Sequence, residues 1–259
     1  MPKLFYDFVQ EGVNIPLTKI AAGYSPVGMV GHKILVVVKH ITSGGKVPLF
    51  GKDAMKRRNT KRAKGARSNR MRREPGTWKP FHCEEYDLIE PIDKSDLDEL
   101  ARLPVPDKHL FSLQNIARQT VQWNLALEDE AETAEIVQDI GSYPENNRIV
   151  LSGTDQWSDY SNSKPVRNLE DGKEVVRSSI GRYPNTLLLG TNAYKPLKYH
   201  PDFTDKMKLT SDKVVRPALI AEMLDLKEVI IGQSMAVDSK DEFYDLWEDV
   251  AILFYKPES

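Results

Sequence analysis

Two glycines followed by a lysine, Gly44-Gly45-Lys46, are the first feature of the sequence that could carry chemistry. A phosphate-binding loop has the pattern Gly-x-x-x-x-Gly-Lys-Ser/Thr, because its main-chain N–H groups and its lysine hold the phosphates. In this register the pattern requires glycine at position 40 and serine or threonine at position 47, where the sequence has His40 and Val47. The sequence therefore predicts no phosphate loop here.

Histidine and cysteine are the other residue types that could form a reactive centre, as metal ligands or as a nucleophile with its base. No Asp, Glu or Cys lies near the five histidines at a helical or hairpin spacing that indicates a metal site. In His82-Cys83-Glu84-Glu85, successive strand residues would point to opposite faces. No Gly-x-Ser-x-Gly elbow and no dinucleotide fingerprint occurs. We therefore expect no metal, no cofactor and no catalytic residue, in a protein that is not an enzyme.

Cysteine content and hydropathy indicate the kind of compartment in which the protein is synthesised. The single cysteine, Cys83, cannot form an internal disulfide, and the sequence has no glycosylation sequon and no signal-peptide pattern. The longest aliphatic run, Ile34 to Val38, is far shorter than the roughly 20 apolar residues of a membrane span. These features predict synthesis in a reducing, intracellular compartment and no membrane partner.

Charge is distributed in blocks along the chain. Residues 1–83 carry 17 basic and 4 acidic side chains, residues 84–139 carry 4 and 15, and residues 140–259 carry 15 and 19, which gives net charges of +13, −11 and −4. Such blocks indicate a nucleic-acid-binding arm, or segments that contact complementary segments of the same chain or of a neighbour.

The most basic segment, residues 52–73, has 11 Lys and Arg against one acid, Asp53, and cannot bury a core of its own. Three interpretations stay open: a solvated loop, a nucleic-acid-binding segment, or a segment that docks on acidic surfaces of neighbouring copies. We favour docking, because the segment lacks interleaved aromatic residues for base stacking and the chain supplies a net −11 block. The contact residues would be Lys52, Lys56, Arg57, Arg58, Lys61, Arg62, Lys64 and Arg67.

Strand-like sequences flank the basic segment and must position it. The stretch Lys33 to Ile41 is rich in β-branched residues, and Phe81 to Ile89 follows the basic run. The simplest arrangement is a long two-stranded excursion with the basic segment at its tip.

A long helix is predicted from about residue 108 to about 139, followed by the stop signals Gly141 and Pro144. Apolar residues recur along it at steps of three and four, so one face should be buried. The predicted core residues of that face are Leu113, Ile116, Trp123 and Leu127. The opposite face is either solvated or a docking surface for basic partners, and it carries Glu128, Asp129, Glu132, Glu135 and Asp139.

The remaining sequence alternates strand and helix patterns with short turns. Strands are predicted at 148–151, 184–190, 228–231 and 251–255, and helices at 163–180, around Tyr194 and Leu197, and at 211–224. The helix at 163–180 would have Ser163 as its cap, Pro165 in its first turn and Gly181 after its end. This alternation indicates an α+β or α/β fold for the second half of the chain.

In order and spacing, these elements resemble the major capsid (head) protein of tailed double-stranded DNA bacteriophages, whose fold is shared with encapsulins. The resemblance spans nearly the whole chain: an apolar N-terminal arm, a long β-excursion, a long helix rich in Glu and Ala, and then Gly153-Thr-Asp-Gln-Trp-Ser-Asp159. It continues with the helix at 163–180, Tyr183-Pro-Asn-Thr-Leu-Leu-Leu-Gly-Thr191, Leu197-Lys-Tyr-His-Pro201 and Leu246-Trp-Glu-Asp-Val-Ala-Ile-Leu-Phe-Tyr-Lys-Pro257.

The resemblance implies the α+β class and a division of the chain. Residues 1–40 would be the N-terminal arm and 41–80 an extended β-hairpin loop. Residues 81–150 and 240–259 would form a peripheral domain with the long spine helix, and 151–239 an axial domain. The chain is short for the family and begins directly in the arm, so we expect a separate scaffolding protein.

The resemblance also implies a function, the self-assembly of hexamers and pentamers into the icosahedral shell that encloses the double-stranded DNA of a tailed phage. The partners would be copies of the chain itself, a scaffolding protein, a portal and a decoration protein, with non-specific proximity to the packaged DNA. The location would be the virion capsid, after assembly in the host cytoplasm. Two alternatives stay open: an encapsulin-like nanocompartment shell, and a nucleic-acid-binding protein that uses residues 52–73.

Overall fold

The structure is a computed structural model that describes residues 28–35, 38, 42–49, 51–70, 76–95, 98, 108–206 and 214–257. The described residues form two compact units, a smaller one within residues 37–86 and a larger one that contains the rest. The predicted N-terminal arm lies outside the described residues up to position 27. The larger unit contains the residues expected in an axial domain and, from position 87 onward, those expected in a peripheral domain, whereas residues 81–86 belong to the smaller unit.

The first described element is a short helix, α1 (Gly31–Ile34), where the sequence predicts the start of a strand. That prediction is wrong at Lys33 and Ile34. The Glu130 carboxylate accepts hydrogen bonds from the main-chain N–H groups of Val30 and Gly31, which are the groups that a helix start leaves without a partner. A β-branched composition favours a strand, but here an acceptor from a distant part of the chain decides the backbone conformation.

The smaller unit contains an antiparallel hairpin of β1 (Gly44–Leu49) and β2 (Thr77–His82). Gly44 pairs with His82 at one end and Leu49 with Thr77 at the other. As predicted, two antiparallel strands flank the basic segment, but their positions differ: β1 lies wholly after the predicted Lys33–Ile41, and β2 shares only Phe81 and His82 with the predicted Phe81–Ile89. The second strand was expected to continue to Ile89 but ends at His82. His82 pairs with Gly44, the first residue of β1, and no described strand pairs with the residues after His82.

The long helix α2 (Lys108–Gln138) has the bounds that the sequence predicts. Its 31 residues form a rod about 46 Å long, at 1.5 Å per residue. Asp139 caps the turn that follows, because its carboxylate accepts hydrogen bonds from the Gly141 N–H and the Ser142 hydroxyl, both at 2.9 Å. The chain therefore turns away directly after the helix.

The other elements are α3 (Pro165–Ile180), β3 (Thr186–Gly190), α4 (Thr191–Leu197), α5 (Pro201–Thr204), α6 (Pro217–Met223), β4 (Glu228–Gly232), β5 (Met235–Val237), β6 (Phe243–Asp245) and β7 (Ala251–Phe254). β3 is the central strand of a three-stranded sheet, parallel to β4 and antiparallel to β7. β5 and β6 form a separate antiparallel hairpin. The fold is therefore of mixed helix and sheet, consistent with the predicted α+β class.

The three-stranded sheet is covered on both faces. Every residue of β3 is buried, and alternate residues of a strand point to opposite faces. Leu187 and Leu189 pack in one core cluster with residues of α3, and Leu188 packs in a second cluster with α2 and Trp247. β3 is therefore a continuous apolar run, because neither of its faces meets water.

Two local predictions in the larger unit are wrong, and a third is wrong in its bounds. No strand is formed by the described residues 148–151. The helix expected at 211–224 is Pro217–Met223 in the described chain, because Pro217 suits a first helical turn and residues 211–213 lie outside the described part. Ser163 does not cap α3, since the Val166 N–H in its first turn donates to the Asp202 carboxylate at 3.1 Å. As at the start of α1, the acceptor for a helix N–H group comes from a distant part of the chain and not from a neighbouring side chain.

Candidate contact surfaces

The eight basic residues predicted to make contacts all lie on the surface of the smaller unit, between β1 and β2. The tip of this connection folds back on itself, because the Asn69 amide donates to the main-chain oxygens of Asn59 and Lys61 at 2.8 and 3.2 Å. The Arg62 guanidinium donates to the Ser68 hydroxyl at 3.1 Å. These hydrogen bonds hold the tip in a folded-back conformation. The basic side chains Lys52, Lys56, Arg57, Arg58, Lys61, Arg62, Lys64 and Arg67 are all exposed and form a dense positive surface.

Two prolines lie in the strands that carry this tip. Pro48 is in β1 and Pro80 is in β2, and proline has no N–H group to donate to a further strand. Each strand of the hairpin therefore lacks one N–H donor for a further strand, which disfavours addition of a third strand at either edge. A partner of this hairpin is expected to contact its side chains rather than its edges.

The acidic residues predicted as a docking surface lie along α2 and directly after it. Glu128, Asp129, Glu135 and Asp139 are exposed, and Glu132 is half-buried. The Gly141 N–H, together with the Ser142 hydroxyl, holds the Asp139 carboxylate and lowers its pKa. The exposed carboxylates of the helix itself, at 128, 129 and 135, form a negative surface about two turns long.

Trp123 was predicted to be a core residue and is not buried, since 40% of it is exposed. Leu127, one turn further along α2, packs at the margin of the cluster that contains Ala134 and Val137. The three-and-four pattern identifies the inward face of the helix, but the described core cluster contacts α2 only from Leu127 onward. The prediction for Trp123 is therefore wrong, and the side chains of Leu113 and Ile116 lie outside the described part of the chain.

A buried carboxylate joins four segments of the larger unit. Glu130, in α2, accepts hydrogen bonds from the N–H groups of Val30 and Gly31 at 2.9 and 2.6 Å. It also accepts from the Ser234 hydroxyl at 3.0 Å and from the Trp247 indole N–H at 2.7 Å. A buried carboxylate is tolerated only when its oxygens are hydrogen-bonded, and these four donors satisfy them.

Sequence analysis missed Glu130, although a signal for it was present. The residue lies three positions after Leu127 and seven before Val137, so the three-and-four steps place it on the apolar stripe of the helix. A glutamate at such a position is almost never fully buried without partners. The donors themselves come from segments about 100 positions away, which no spacing rule identifies.

Ser163 and His200 are buried together and have the residue types of a nucleophile and its base. The Asp202 N–H donates to His200 Nδ1 at 3.1 Å, so the neutral imidazole carries its proton on Nε2. That proton faces Ser163 Oγ, 2.9 Å away, and the Ser163 hydroxyl donates to the Asp159 carbonyl oxygen at 2.7 Å. A general base needs an unprotonated nitrogen toward the serine, so this tautomer cannot activate Ser163. The pair therefore has a structural role, because its hydrogen bond joins the chain just before α3 to the chain just before α5.

We expect stability to fall in mild acid because of His200. Burial lowers the pKa of its imidazole below the ordinary 6.5, and nearby Asp202 offsets this only in part. Below about pH 6.5 the unfolded chain therefore binds a proton that the folded chain does not, and stability is lost until the pH passes below the folded pKa. His200→Asn keeps an acceptor for the Asp202 N–H and cannot titrate. Urea unfolding at pH 7.5 and 5.5 should show a smaller loss for this variant, and equal losses would contradict the assignment.

Metal ligands and thiols are the other groups that could form a reactive centre in the described residues. Within the described chain, no group of three or more His, Cys, Asp and Glu side chains is placed to hold a metal ion. Cys83, the single cysteine, is exposed just after β2. None of the helices that the structure describes is both long enough and apolar enough to cross a membrane.

The chain is similar to named phage proteins and to solved structures. It is 36% identical to the major capsid protein of Burkholderia phage BcepMu over 245 residues, which cover 95% of this chain and 76% of that protein. It is 30% identical to the major capsid protein of Pseudomonas phage JBD67 over 154 residues, 58% of this chain and 46% of that protein. A crystal structure of a phage-related protein from Bordetella bronchiseptica RB50 matches with a TM-score of 0.70 and 26% identity, over 95% of this chain and 78% of the other. No protein-family model matches the chain.

Proposed function

This chain belongs to the family of phage major capsid proteins, and we propose that it forms hexamers and pentamers of an icosahedral head around the double-stranded DNA of a tailed phage. The observation that carries the proposal is the 36% identity to the BcepMu capsid protein along 95% of the chain. The similar fold of a phage-related protein supports it. The proposed role is structural and includes no catalytic step.

The proposed subunit has the division that the family resemblance implies. Residues 1–40 would form an arm, 41–80 an extended loop, 81–150 with 240–259 a peripheral domain, and 151–239 an axial domain. The separate smaller unit within residues 37–86 supports the assignment of the extended loop. The length of α2 supports its role as the spine of the peripheral domain.

In the proposed shell, the basic tip of one subunit docks on carboxylates of the next. The exposure of the eight basic side chains supports this role, and so do the prolines that close the hairpin edges to strand addition. The carboxylates at 128, 129, 132, 135 and 139 are the proposed acceptors. A single exposed ion pair contributes only about 0 to 1 kcal/mol, but symmetry repeats each contact in every subunit of a closed shell.

The proposed partners are further copies of the chain, a scaffolding protein, a portal and a decoration protein, with packaged DNA nearby. The subunit would assemble in the host cytoplasm and remain in the virion. The sequence identity of the chain to two phage capsid proteins supports a DNA-filled head over an encapsulin-like compartment. The contents of purified particles separate the two.

Electron microscopy of the expressed chain, alone and with candidate scaffolding proteins, tests the proposed function. We expect closed shells of uniform size, and DNA inside those recovered from infected cells. A chain that stays monomeric under every condition would contradict assembly. Shells that hold a protein cargo and no DNA would indicate a nanocompartment, and a small species with strongly salt-dependent DNA affinity would indicate a nucleic-acid-binding protein.

Reversing the charge of the basic tip should block shell formation. The variant replaces Arg57, Arg58, Lys61 and Arg62 with Glu, which turns attraction to the acceptor carboxylates into repulsion. Exposed loop residues contribute little to folding, so the circular dichroism spectrum should not change. Sedimentation should show unassembled subunits in place of shells. The matched control exchanges Arg for Lys and Lys for Arg at the same positions and should assemble, whereas normal assembly of the Glu variant would show that the tip is only solvated.

A further inference from the structure

Residues 148–152 present an unpaired extended segment on the surface of the larger unit. Both ends have strand-like backbone, with φ −131° and ψ 142° at Arg148 and φ −139° and ψ 153° at Ser152. Between them, 67% of Ile149 and 72% of Val150 are exposed. No hydrogen bond joins the main chain of Arg148, Ile149 or Val150 to another described residue. The segment therefore has the composition and conformation of a strand but lacks a neighbouring strand.

The segment is held firmly at its start. The Arg148 guanidinium donates to the Ile140 carbonyl oxygen at 3.0 Å, and the Ser179 hydroxyl of α3 donates to the Asn147 amide oxygen at 3.1 Å. After Ser152 the chain makes a tight turn, in which the Asp155 N–H donates to the Ser152 oxygen at 3.3 Å. The exposed isoleucine and valine are thus presented in a fixed direction, as in a strand that is ready to add to a sheet edge.

The β5–β6 hairpin offers an edge that could accept such a strand. The Leu246 N–H donates to the Ser234 oxygen and the Asp238 N–H to the Glu242 oxygen, so the pairs at 234 and 246 and at 238 and 242 are the hydrogen-bonded ones. By alternation, the main-chain groups of Phe243 and Asp245 point away from β5. Phe243 is 74% exposed, and β6 contains no proline, unlike β1 and β2. A two-stranded hairpin is marginal by itself and gains from a third strand.

We propose that residues 148–152 of one subunit add to β6 of a second copy of this chain as an antiparallel third strand. In this register Arg148 lies opposite Asp245, Ile149 opposite Tyr244 and Val150 opposite Phe243. The register pairs opposite charges and covers the two most exposed apolar side chains of the two segments with each other. Arg148 and Val150 each exchange two main-chain hydrogen bonds with their partners.

The second copy is the occupant because each chain carries both halves of the contact on different surfaces. Such a head-to-tail contact closes into rings when the rotation between copies allows it, as hexamers and pentamers require. The pairing therefore rests on the proposed function, and it names a subunit contact separate from the basic tip. A self-pairing of two copies of 148–152 would instead be two-fold symmetric and would not involve β6.

Disulfide trapping in assembled shells tests the register. In a Cys83→Ser background, Ile149→Cys with Tyr244→Cys places two cysteines at a non-hydrogen-bonded pair, where the Cα separation of about 4.5 Å suits a disulfide. Mild oxidation should give reducible oligomers up to the size of the ring. The matched control, Val150→Cys with Tyr244→Cys, points one thiol to the other face and should give roughly tenfold less product.

Exchange of charges supplies a second, independent readout. Arg148→Asp and Asp245→Arg should each lower the yield of shells about two- to fivefold, and the double variant should restore it in part, because it regains the charge pair but not the Arg148 hydrogen bond to the Ile140 oxygen. Shells that form but show neither cross-linking nor rescue would overturn the pairing and leave the proposed function intact. Dimers formed by Ile149→Cys or Val150→Cys alone would overturn it in favour of self-pairing. Failure of the parent chain to form shells under any condition would overturn the proposed function and this contact with it.

Discussion

Glu130→Ala should lower the free energy of unfolding by at least about 3 kcal/mol. The change leaves the N–H groups of Val30, Gly31 and Trp247 and the Ser234 hydroxyl without their acceptor in a buried site. Each buried donor without a partner costs about 1 to 3 kcal/mol. A domain is usually stable by only about 5 to 15 kcal/mol, so the loss should be clear in urea unfolding of the unassembled subunit.

A neighbouring residue provides the control for this prediction. Glu128 lies two positions earlier in the same helix and is exposed, so Glu128→Ala should change stability by no more than about 0.5 kcal/mol. Limited proteolysis gives a second readout, because loss of the Val30 and Gly31 hydrogen bonds should expose the segment around α1 to cleavage. The same urea midpoint for the two alanine variants would show that Glu130 does not hold the four segments together.

The helices α2 and α3 were predictable because their signals are local. The apolar steps along α2 and the proline and glycine at the two ends of α3 fix the bounds of these helices to within a few residues. Gly181 has φ +74°, and its N–H donates to the Arg177 oxygen at 2.7 Å, which is the left-handed cap that glycine favours. Such interactions lie within a few positions in sequence, so one sequence is sufficient to find them.

The strands were less predictable, because a strand exists only when another strand pairs with it. The β-branched runs at 33–38 and at 149–151 look alike in sequence, and neither forms a strand in the described residues. The first becomes helical at Lys33 and Ile34, where Glu130 binds the preceding N–H groups, and the second pairs with none of the strands that the structure describes. β3 has only one β-branched residue, Thr186, and is nevertheless a strand, because β4 and β7 pair with its two edges.

The candidate contact residues show the same division between local and distant information. The composition of residues 52–73 was enough to predict that the basic side chains are exposed, whereas the surface that they contact stays a prediction. Trp123 and Glu130 share one helical stripe, yet the tryptophan is exposed and the glutamate is buried. Periodicity gives the direction of a side chain, but the extent of the core and the position of buried donors depend on the tertiary fold.

Gly190→Ala is expected to prevent the sheet from forming in its present arrangement. A Cβ atom at this position would overlap the main-chain oxygen of Glu248 and lie 2.9 Å from the main-chain oxygen of Trp247. The Gly190 N–H donates to the Val250 oxygen at 2.9 Å, so β3 and the chain that leads into β7 are already in close contact. Neither side can yield through a side-chain rotation, because both clashing groups are main chain.

The neighbours of Gly190, which are Gly232 and residues 247–248, have no room to move away from it. Gly232 pairs with Gly190 across β3 and β4, and a Cβ there would overlap the Trp247 side chain. Trp247 is fully buried and donates its indole N–H to Glu130, so the segment 247–248 lies in a slot that two glycines leave open. Separating that segment from the sheet would break the hydrogen bond to Glu130 as well as the contact with β3.

We therefore expect Gly190→Ala to cost at least about 3 kcal/mol, with little soluble subunit recovered, since overpacking against main chain lies at the upper end of its usual range. Gly51→Ala is the matched control, because a Cβ at Gly51 meets nothing within 4 Å, and its effect should stay within about 0.5 kcal/mol. Soluble yield and the urea midpoint of the two variants are the measurements. A Gly190→Ala subunit as stable as the Gly51→Ala subunit would contradict the prediction. It would mean that residues 247–248 can move away from β3 without loss of stability, although Trp247 is buried and hydrogen-bonded to Glu130.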